Sequence, residues 1–336
     1  MVHSTDRPLK LLIVVHHRFE LWNIPGWFLQ KLAEQFPQIE IAHRTSYEGI
    51  EERLRDAEVI FTISLRPEQL ALGTRLRWIH APTAAVHQFL FPELVNSDIV
   101  LTHSSEVHGP VVAEHVMALI FALARKIPQA ARLQAKREWG QDSIWNHGQR
   151  PREIAAATLG LIGLGAIGLV VARAAAALGM RVIAVREHVE KERPEGVSEV
   201  LGPDQIERLL ARSDFVVMAA PLTPATRGLM NAARFAQMKR DAYLINVGRG
   251  AQVDECALAD VLRSHQIAGA ALDVFEHEPL PAESPLWDLD NLLITPHTAG
   301  LTEKLWHRHY DLFSENLRRY LVGERLLFTV DKQLGY

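Results

Sequence analysis

The stretch "TLGLIGLGAIGLVVARAAAALGMRVIAV", residues 158–185, constrains the fold more than any other part of the chain. It opens with an apolar run of strand length, Thr158 to Ile162. Gly163-x-Gly165-x-x-Gly168 follows, then an alanine-rich run of helix formers, then a second apolar run from Arg181 to Val185. Strand, tight turn, helix and strand are the parts of a βαβ unit. A lone G-x-G-x-x-G is weak evidence, but in this setting it reads as a dinucleotide fingerprint. Gly163 permits the turn, Gly165 lets backbone approach a pyrophosphate, and Gly168 allows close helix–strand packing. The helix start at Ala166 and Ile167 offers N–H donors and partial positive charge to a phosphate.

The same rhythm runs through the whole chain. "LKLLIVV", "IEIAH", "VIFTI", "LRWIH" and "DIVLT" fall in the first hundred residues, separated by segments with helical spacing such as "WFLQKLAEQF". "TLGLIG", "RVIAV", "FVVMAA", "AYLINV", "GAALDVF" and "NLLITP" form a second series. These predict an α/β protein with two doubly wound parallel-sheet lobes, one flavodoxin-like and one of the Rossmann type, with a cleft between them. A length of 336 residues suits two domains. The expected division places residues 1–104 and 297–336 in a substrate-binding lobe, and residues 105–296 in an NAD(P)-binding lobe.

Composition excludes several classes. The chain is 48% hydrophobic and 23% charged, which excludes a disordered protein. A net charge of −4 lends no electrostatic support to a nucleic-acid partner. The single cysteine, Cys256, cannot form an internal disulfide and suits a cytoplasmic location. The apolar run Leu9 to Val15 is too short for a membrane span and reads as a first strand. "HGPVVAEHVMALIFALARKIP" is apolar enough to suggest a membrane, but Pro110, Glu114, His115 and Arg125 favour a buried interdomain or subunit helix ending near Pro128. Residues 135–152, polar with Trp139 and Trp145, read as an extended arm or loop. The histidines lack metal-type spacing, so no metal is expected.

Three segments carry candidate chemistry: "LINVGRG" with Arg249, "LDVFEHEPLP" with Asp273 and Glu278, and "LLITPHTAG" with His297. Each lies at or just past the carboxyl end of an expected strand, where parallel sheets bind ligands. Singly, Glu278 reads as a solvated acidic loop residue and His297 as a satisfied turn histidine. Together, after a dinucleotide turn, they favour catalysis.

These motifs resemble the D-isomer-specific 2-hydroxyacid dehydrogenases, of the glyoxylate/hydroxypyruvate reductase or phosphoglycerate dehydrogenase kind. The resemblance rests on "TLGLIGLGAIG", "LLARSDFVVMAAPLTPATRGLMN", "MKRDAYLINVGRGAQVDE", "ALDVFEHEPLP" and "SPLWDLDNLLITPHTAG". It implies hydride transfer between a nicotinamide and a small 2-oxo or 2-hydroxy acid. Arg249 would then hold the substrate carboxylate, His297 act as acid and base, and Glu278 orient it. Formate dehydrogenases of the same superfamily carry Gln in place of this Glu. The resemblance also implies cofactor contacts from Gly163, Gly165, Ala166, Ile167, Gly168, Pro221, Thr226, Val247, Asp273 and Gly300, with Asp273 at the nicotinamide end. The loop "HAPTAAVHQFL" resembles the substrate-carboxylate loop, with Ala84 and Ala85 where glycine is usual. The apolar "VVAEHVMALIFAL" helix implies a homodimer. An alternative is a non-catalytic dinucleotide sensor, as in the family's corepressor branch. The lack of added tails leads to the expectation of the plain enzyme, and the lack of a regulatory domain to that of a glyoxylate/hydroxypyruvate-type or broad reductase.

One position sets the cofactor expectation. The strand "RVIAV" ends on Arg186, where an NAD-preferring site carries an acid for the ribose hydroxyls. A guanidinium there can pair with the 2′-phosphate of NADP. The sequence therefore predicts NADP, with NAD still open, because Glu187 one residue later could take the ribose contact while Arg186 faces solvent.

Overall fold

The computed structural model describes residues 7–146 and 148–335. The chain divides into two compact units, residues 1–108 with 301–336, and residues 109–300. Both boundaries lie four residues beyond the expected positions. The first falls inside the helix Ser105–Ala124, and the second comes after the whole "TPHTAG" turn.

The first unit holds five parallel strands: β1 (Leu9–Val14), β2 (Ile39–Arg44), β3 (Val59–Thr62), β4 (Trp78–Ala81) and β5 (Val100–His103), in the order β2-β1-β3-β4-β5. Period-two alternation sends Leu11 and Ile13 to one face of β1, and Leu12 and Val14 to the other. Both faces are covered, so β1 reads as a continuous apolar run. The helix Leu305–Leu321 lays Trp306, Tyr310, Phe313 and Leu317 against the first face, at helical spacing. His80, in the middle of β4, is fully buried and contacts the hydroxyls of Thr102 at 2.8 Å and Ser104 at 3.1 Å. That burial pushes its imidazole down to about 3.

The second unit holds β6 (Thr158–Ile162), β7 (Arg181–Val185), β8 (Glu199–Leu201), β9 (Phe215–Met218), β10 (Tyr243–Asn246), β11 (Gly269–Leu272) and β12 (Leu292–Ile294). They form one parallel sheet in the order β12-β11-β10-β9-β6-β7-β8. The strand order reverses between β6 and β9, which is the topological switch point where such sheets bind ligands. Strand β8 is absent from the expected series because "SEVL" is too short to show an apolar period.

The helix Ser105–Ala124 is long and apolar enough to cross a membrane, but 67% of its most apolar stretch is buried inside the fold, as in a core helix. It stops at Ala124, short of the expected end near Pro128. Lys126 adopts a left-handed φ of 59°, and Pro128 sits in the first turn of the next helix, Ile127–Lys136. Proline starts helices well because its missing N–H would be unpaired there anyway. The expected extended arm is thus corrected: residues 135–152 include the end of that helix and a further short one, Gln141–Asn146.

Candidate active site

The three candidate catalytic residues follow three adjacent strands. Arg249 comes after β10, Glu278 after β11 and His297 after β12, all in the second unit. Parallel strands all end on the same side of the sheet, so residues far apart in sequence meet at one rim. The Glu278 carboxylate reaches Nδ1 of His297 at 2.6 Å and accepts the Phe275 N–H at 3.0 Å. An ionised carboxylate can only accept, so Nδ1 carries the proton of this bond and Nε2 is the nitrogen left for chemistry. The same carboxylate raises His297 above the ordinary histidine value, while burial works against it. Burial alone would raise Glu278, but the His297 and Phe275 hydrogen bonds outweigh it and hold Glu278 below the usual carboxylate value. Arg249 lies close enough to act electrostatically on both.

Local packing holds these loops together. A Cβ on Gly250 would lie 1.8 Å from the carbonyl carbon of Phe275, so only glycine lets the arginine loop rest on the peptide beside Glu278. The Arg249 N–H donates to Gln252 Oε1 at 2.9 Å. Buried Gln252 also donates from Nε2 to the carbonyls of Ala220 at 3.2 Å and Pro221 at 3.1 Å, tying the arginine loop to the loop after β9. Gln252 is absent from the expected site, although its place three residues after Arg249 suits a local backbone bond.

His297 has a left-handed φ of 53°, uncommon for a residue with a side chain. The turn is anchored by Asp273, which is 1% exposed. Its Oδ1 accepts from Thr295 Oγ1 at 2.6 Å and the Thr298 N–H at 2.9 Å, and its Oδ2 from the Ala299 N–H at 3.0 Å. Its carbonyl accepts the His297 N–H at 2.9 Å. Both carboxylate oxygens of Asp273 are therefore engaged within the turn. His115, from the helix Ser105–Ala124, approaches the same group: its Nε2 lies 3.1 Å from Thr295 Oγ1 and 3.6 Å from Asp273 Oδ1.

The glycine turn lies beside the switch point. Gly163 has φ of 101°, and a Cβ there would strike Ala220 of the neighbouring loop at 2.6 Å. A Cβ on Gly168 would meet the Gly163 carbonyl oxygen at 2.2 Å. At Gly165, the cap residue before the helix Ala166–Ala177, a Cβ would meet nothing within 4 Å. Glycine at 165 is not required by the protein's own packing, and the space over this helix start fits the close approach of a dinucleotide phosphate. Ala166, Ile167 and Gly168 form the helix's first turn.

Other expected contacts take their places around these loops. The Pro221 carbonyl accepts from Thr226 Oγ1 at 2.7 Å, Val247 is buried just past β10, and Gly300 closes the second unit. Arg186 stands at the end of β7 as expected. Its guanidinium donates to the carbonyls of Lys191 and Glu192, while its Nε is buried without a hydrogen-bond partner among the described residues. Glu187 is exposed. Ala84 and Ala85 lie in the first unit, in the loop after β4, where Thr83 Oγ1 donates to the Ala85 carbonyl at 2.6 Å.

Residues 117–299 match the model of the D-isomer specific 2-hydroxyacid dehydrogenase, NAD binding domain. A D-3-phosphoglycerate dehydrogenase of Methanocaldococcus jannaschii is 33% identical over 88% of this chain, which spans only 55% of that protein's length. A glyoxylate reductase of Thermofilum pendens is 33% identical, with 86% of each chain covered. A D-isomer specific 2-hydroxyacid dehydrogenase from Xanthobacter autotrophicus, solved with NADPH and MES, superposes with a TM-score of 0.82 at 33% identity, covering 96% of this chain and 99% of that one. On these matches the chain belongs to the D-isomer specific 2-hydroxyacid dehydrogenase family.

Proposed function

We propose that the protein is an NAD(P)-dependent oxidoreductase that reduces a small 2-oxo acid to the D-2-hydroxy acid, and runs the reverse oxidation when product accumulates. The observation that carries this reading is the 2.6 Å contact between Glu278 and His297 Nδ1. It leaves Nε2 of a proton-retaining imidazole available beside a half-buried guanidinium. The bound nicotinamide supplies or accepts the hydride at the substrate's carbon 2. Arg249 holds the carboxylate through its planar fork of donors and stabilises the charge that grows on the carbonyl oxygen. His297 donates its Nε2 proton to that oxygen, so one proton and one hydride reach the carbonyl together. In the oxidative direction the neutral imidazole takes the hydroxyl proton. Glu278 keeps the ring oriented and favours its cationic form.

The glycine turn would hold the pyrophosphate, and the Arg186 guanidinium, at the end of β7 where an acid would hold the ribose of NAD, would pair with a 2′-phosphate, so NADP is the preferred cofactor and NAD the alternative. The NADPH bound in the Xanthobacter relative supports this choice. The second unit exposes Trp139 (94%), Ile127 (55%) and Trp145 (51%). Large apolar side chains left in water favour a partner surface, here a second copy of the chain in a cytoplasmic homodimer.

The direct test is a steady-state panel of glyoxylate, hydroxypyruvate, pyruvate and bulkier 2-oxo acids with both reduced cofactors, for wild type and His297→Ala. Turnover of at least one acid is expected, with kcat lower in the variant by about 10²–10⁴-fold, the usual contribution of a general acid. A folded wild type that binds cofactor but turns over none of them would favour a dinucleotide sensor.

A further inference from the structure

His115 is a half-buried polar residue on an apolar helix, and the reading above gives it no task. Its surroundings make a chain of hydrogen bonds with a defined direction. Asp273 Oδ1, an acceptor, lies 2.6 Å from Thr295 Oγ1, so the single hydroxyl proton of Thr295 is committed to Asp273. The Thr295 oxygen can then only accept from its other neighbour, His115 Nε2, at 3.1 Å. His115 Nε2 therefore carries a proton and donates it. The run from His115 through Thr295 to Asp273 is cooperative, because each donor polarises the next bond. Asp273 spends its remaining acceptor capacity on the N–H groups of Thr298 and Ala299, and its carbonyl on the N–H of His297 itself. The chain thus ends on the turn that holds His297 in its left-handed conformation.

We propose that His115 is a positioning residue for the reaction, acting through Thr295 and Asp273 to hold the 295–299 turn so that His297 meets Glu278. It touches neither substrate nor cofactor on this account. His115 and Thr295 lie 180 residues apart in sequence and on different elements, so the relay couples the helix Ser105–Ala124 to the acid–base group. A left-handed histidine persists only where its surroundings over-determine it, and this relay supplies that constraint from the helix side. Loosening it should relax the 2.6 Å contact with Glu278. Among the described residues, the charged groups facing His297 within this unit are Glu278, Asp273 and Arg249, and Asp273 faces His115.

The inference rests on His297 being the acid–base group, so its test includes a readout that needs no turnover. The ring resonance of His297, assigned by comparison with His297→Gln, is titrated by NMR in wild type, His115→Phe, His115→Gln and Thr295→Val. Phenylalanine keeps the bulk without the donor, glutamine restores an N–H near Nε2, and valine removes the relaying hydroxyl. The His297 pKa should fall toward the ordinary histidine value in His115→Phe and Thr295→Val, and return toward wild type in His115→Gln. Where turnover is found, kcat should drop about tenfold in His115→Phe, in line with the cost of slight misplacement of a catalytic group, while KM for the cofactor stays the same. A His297 pKa unchanged in both relay variants overturns the proposal. So does a rise in His115→Phe, which would mean His115 acts only as a nearby charge. If the titration shifts as expected while no 2-oxo acid is reduced, the relay stands and the enzymatic reading falls.

Discussion

The Glu278 carboxylate and the His297 imidazole meet at 2.6 Å across two loops that leave neighbouring strands, and each moves the other's ionisation toward its charged form. Their joint effect is a histidine that stays protonated to higher pH and a carboxylate that stays ionised to lower pH.

That coupling predicts a pH profile. On the proposed mechanism reduction needs His297 protonated, so kcat/KM for a 2-oxo acid should fall as pH rises through the raised pKa, and oxidation should rise over the same range. In Glu278→Gln the raising partner is lost, so the fall in reduction should move to lower pH. Rate profiles from pH 5 to 9 in both directions check this. A falling limb that stays in place would remove Glu278 from control of His297.

Gly250 predicts a coupled loss. In Gly250→Ala, a methyl group 1.8 Å from the Phe275 carbonyl carbon must push the arginine loop away from the Glu278 loop. Overpacking of this kind costs about 1–3 kcal/mol. Urea unfolding should show that loss, and kcat should drop with it because Arg249 shifts. Gly165→Ala, with nothing within 4 Å, should leave stability nearly unchanged and raise KM for the cofactor instead. Equal unfolding curves for both variants would contradict the contact argument.

Arg186 predicts cofactor choice. Wild type should use NADPH with the higher kcat/KM, and Arg186→Asp should shift the ratio toward NADH at least tenfold, about 1.4 kcal/mol. The same substitution also removes the bonds to the Lys191 and Glu192 carbonyls, so thermal unfolding is measured alongside. A wild type that already prefers NADH, with a ratio untouched by the change, would make Arg186 a loop brace and nothing more.

His80 predicts acid lability of the first unit. Its folded pKa of about 3 lies below the ordinary value of 6.5, so between these limits the unfolded chain binds a proton that the native chain refuses. Stability should therefore fall with falling pH, by about 1.4 kcal/mol per unit from this group below 6.5. Buried His309 and half-buried His103 are lowered too, by burial, and act in the same direction. Urea midpoints measured from pH 7 to 5 should fall more gently in His80→Gln than in wild type. Parallel slopes would show that His80 does not carry the effect.

The parts legible in the sequence are those set by short-range chemistry. The fingerprint at Gly163, Gly165 and Gly168 is one turn and its flanks, and the strands β1, β6 and β7 are buried on both faces, so each is written as an unbroken apolar run. Arg249, Glu278 and His297 could be singled out because each lies just past such a run, where a parallel sheet presents its loops. Other features depend on which strands become neighbours, and on packing that no local pattern records. Gly250 matters because β10 and β11 pair and bring the Phe275 peptide against it. Gln252 matters because β9 lies on the other side of β10. The break at Lys126 falls between an apolar helix and an amphipathic one whose patterns run on without a gap, and the helix Gln141–Asn146 is too short to show an apolar period. The relay from His115 to Thr295 exists only once the helix Ser105–Ala124 lies beside the end of β12. Periodicity decides what a segment becomes, but only the order of the sheet and the close approach of its loops decide which side chains meet.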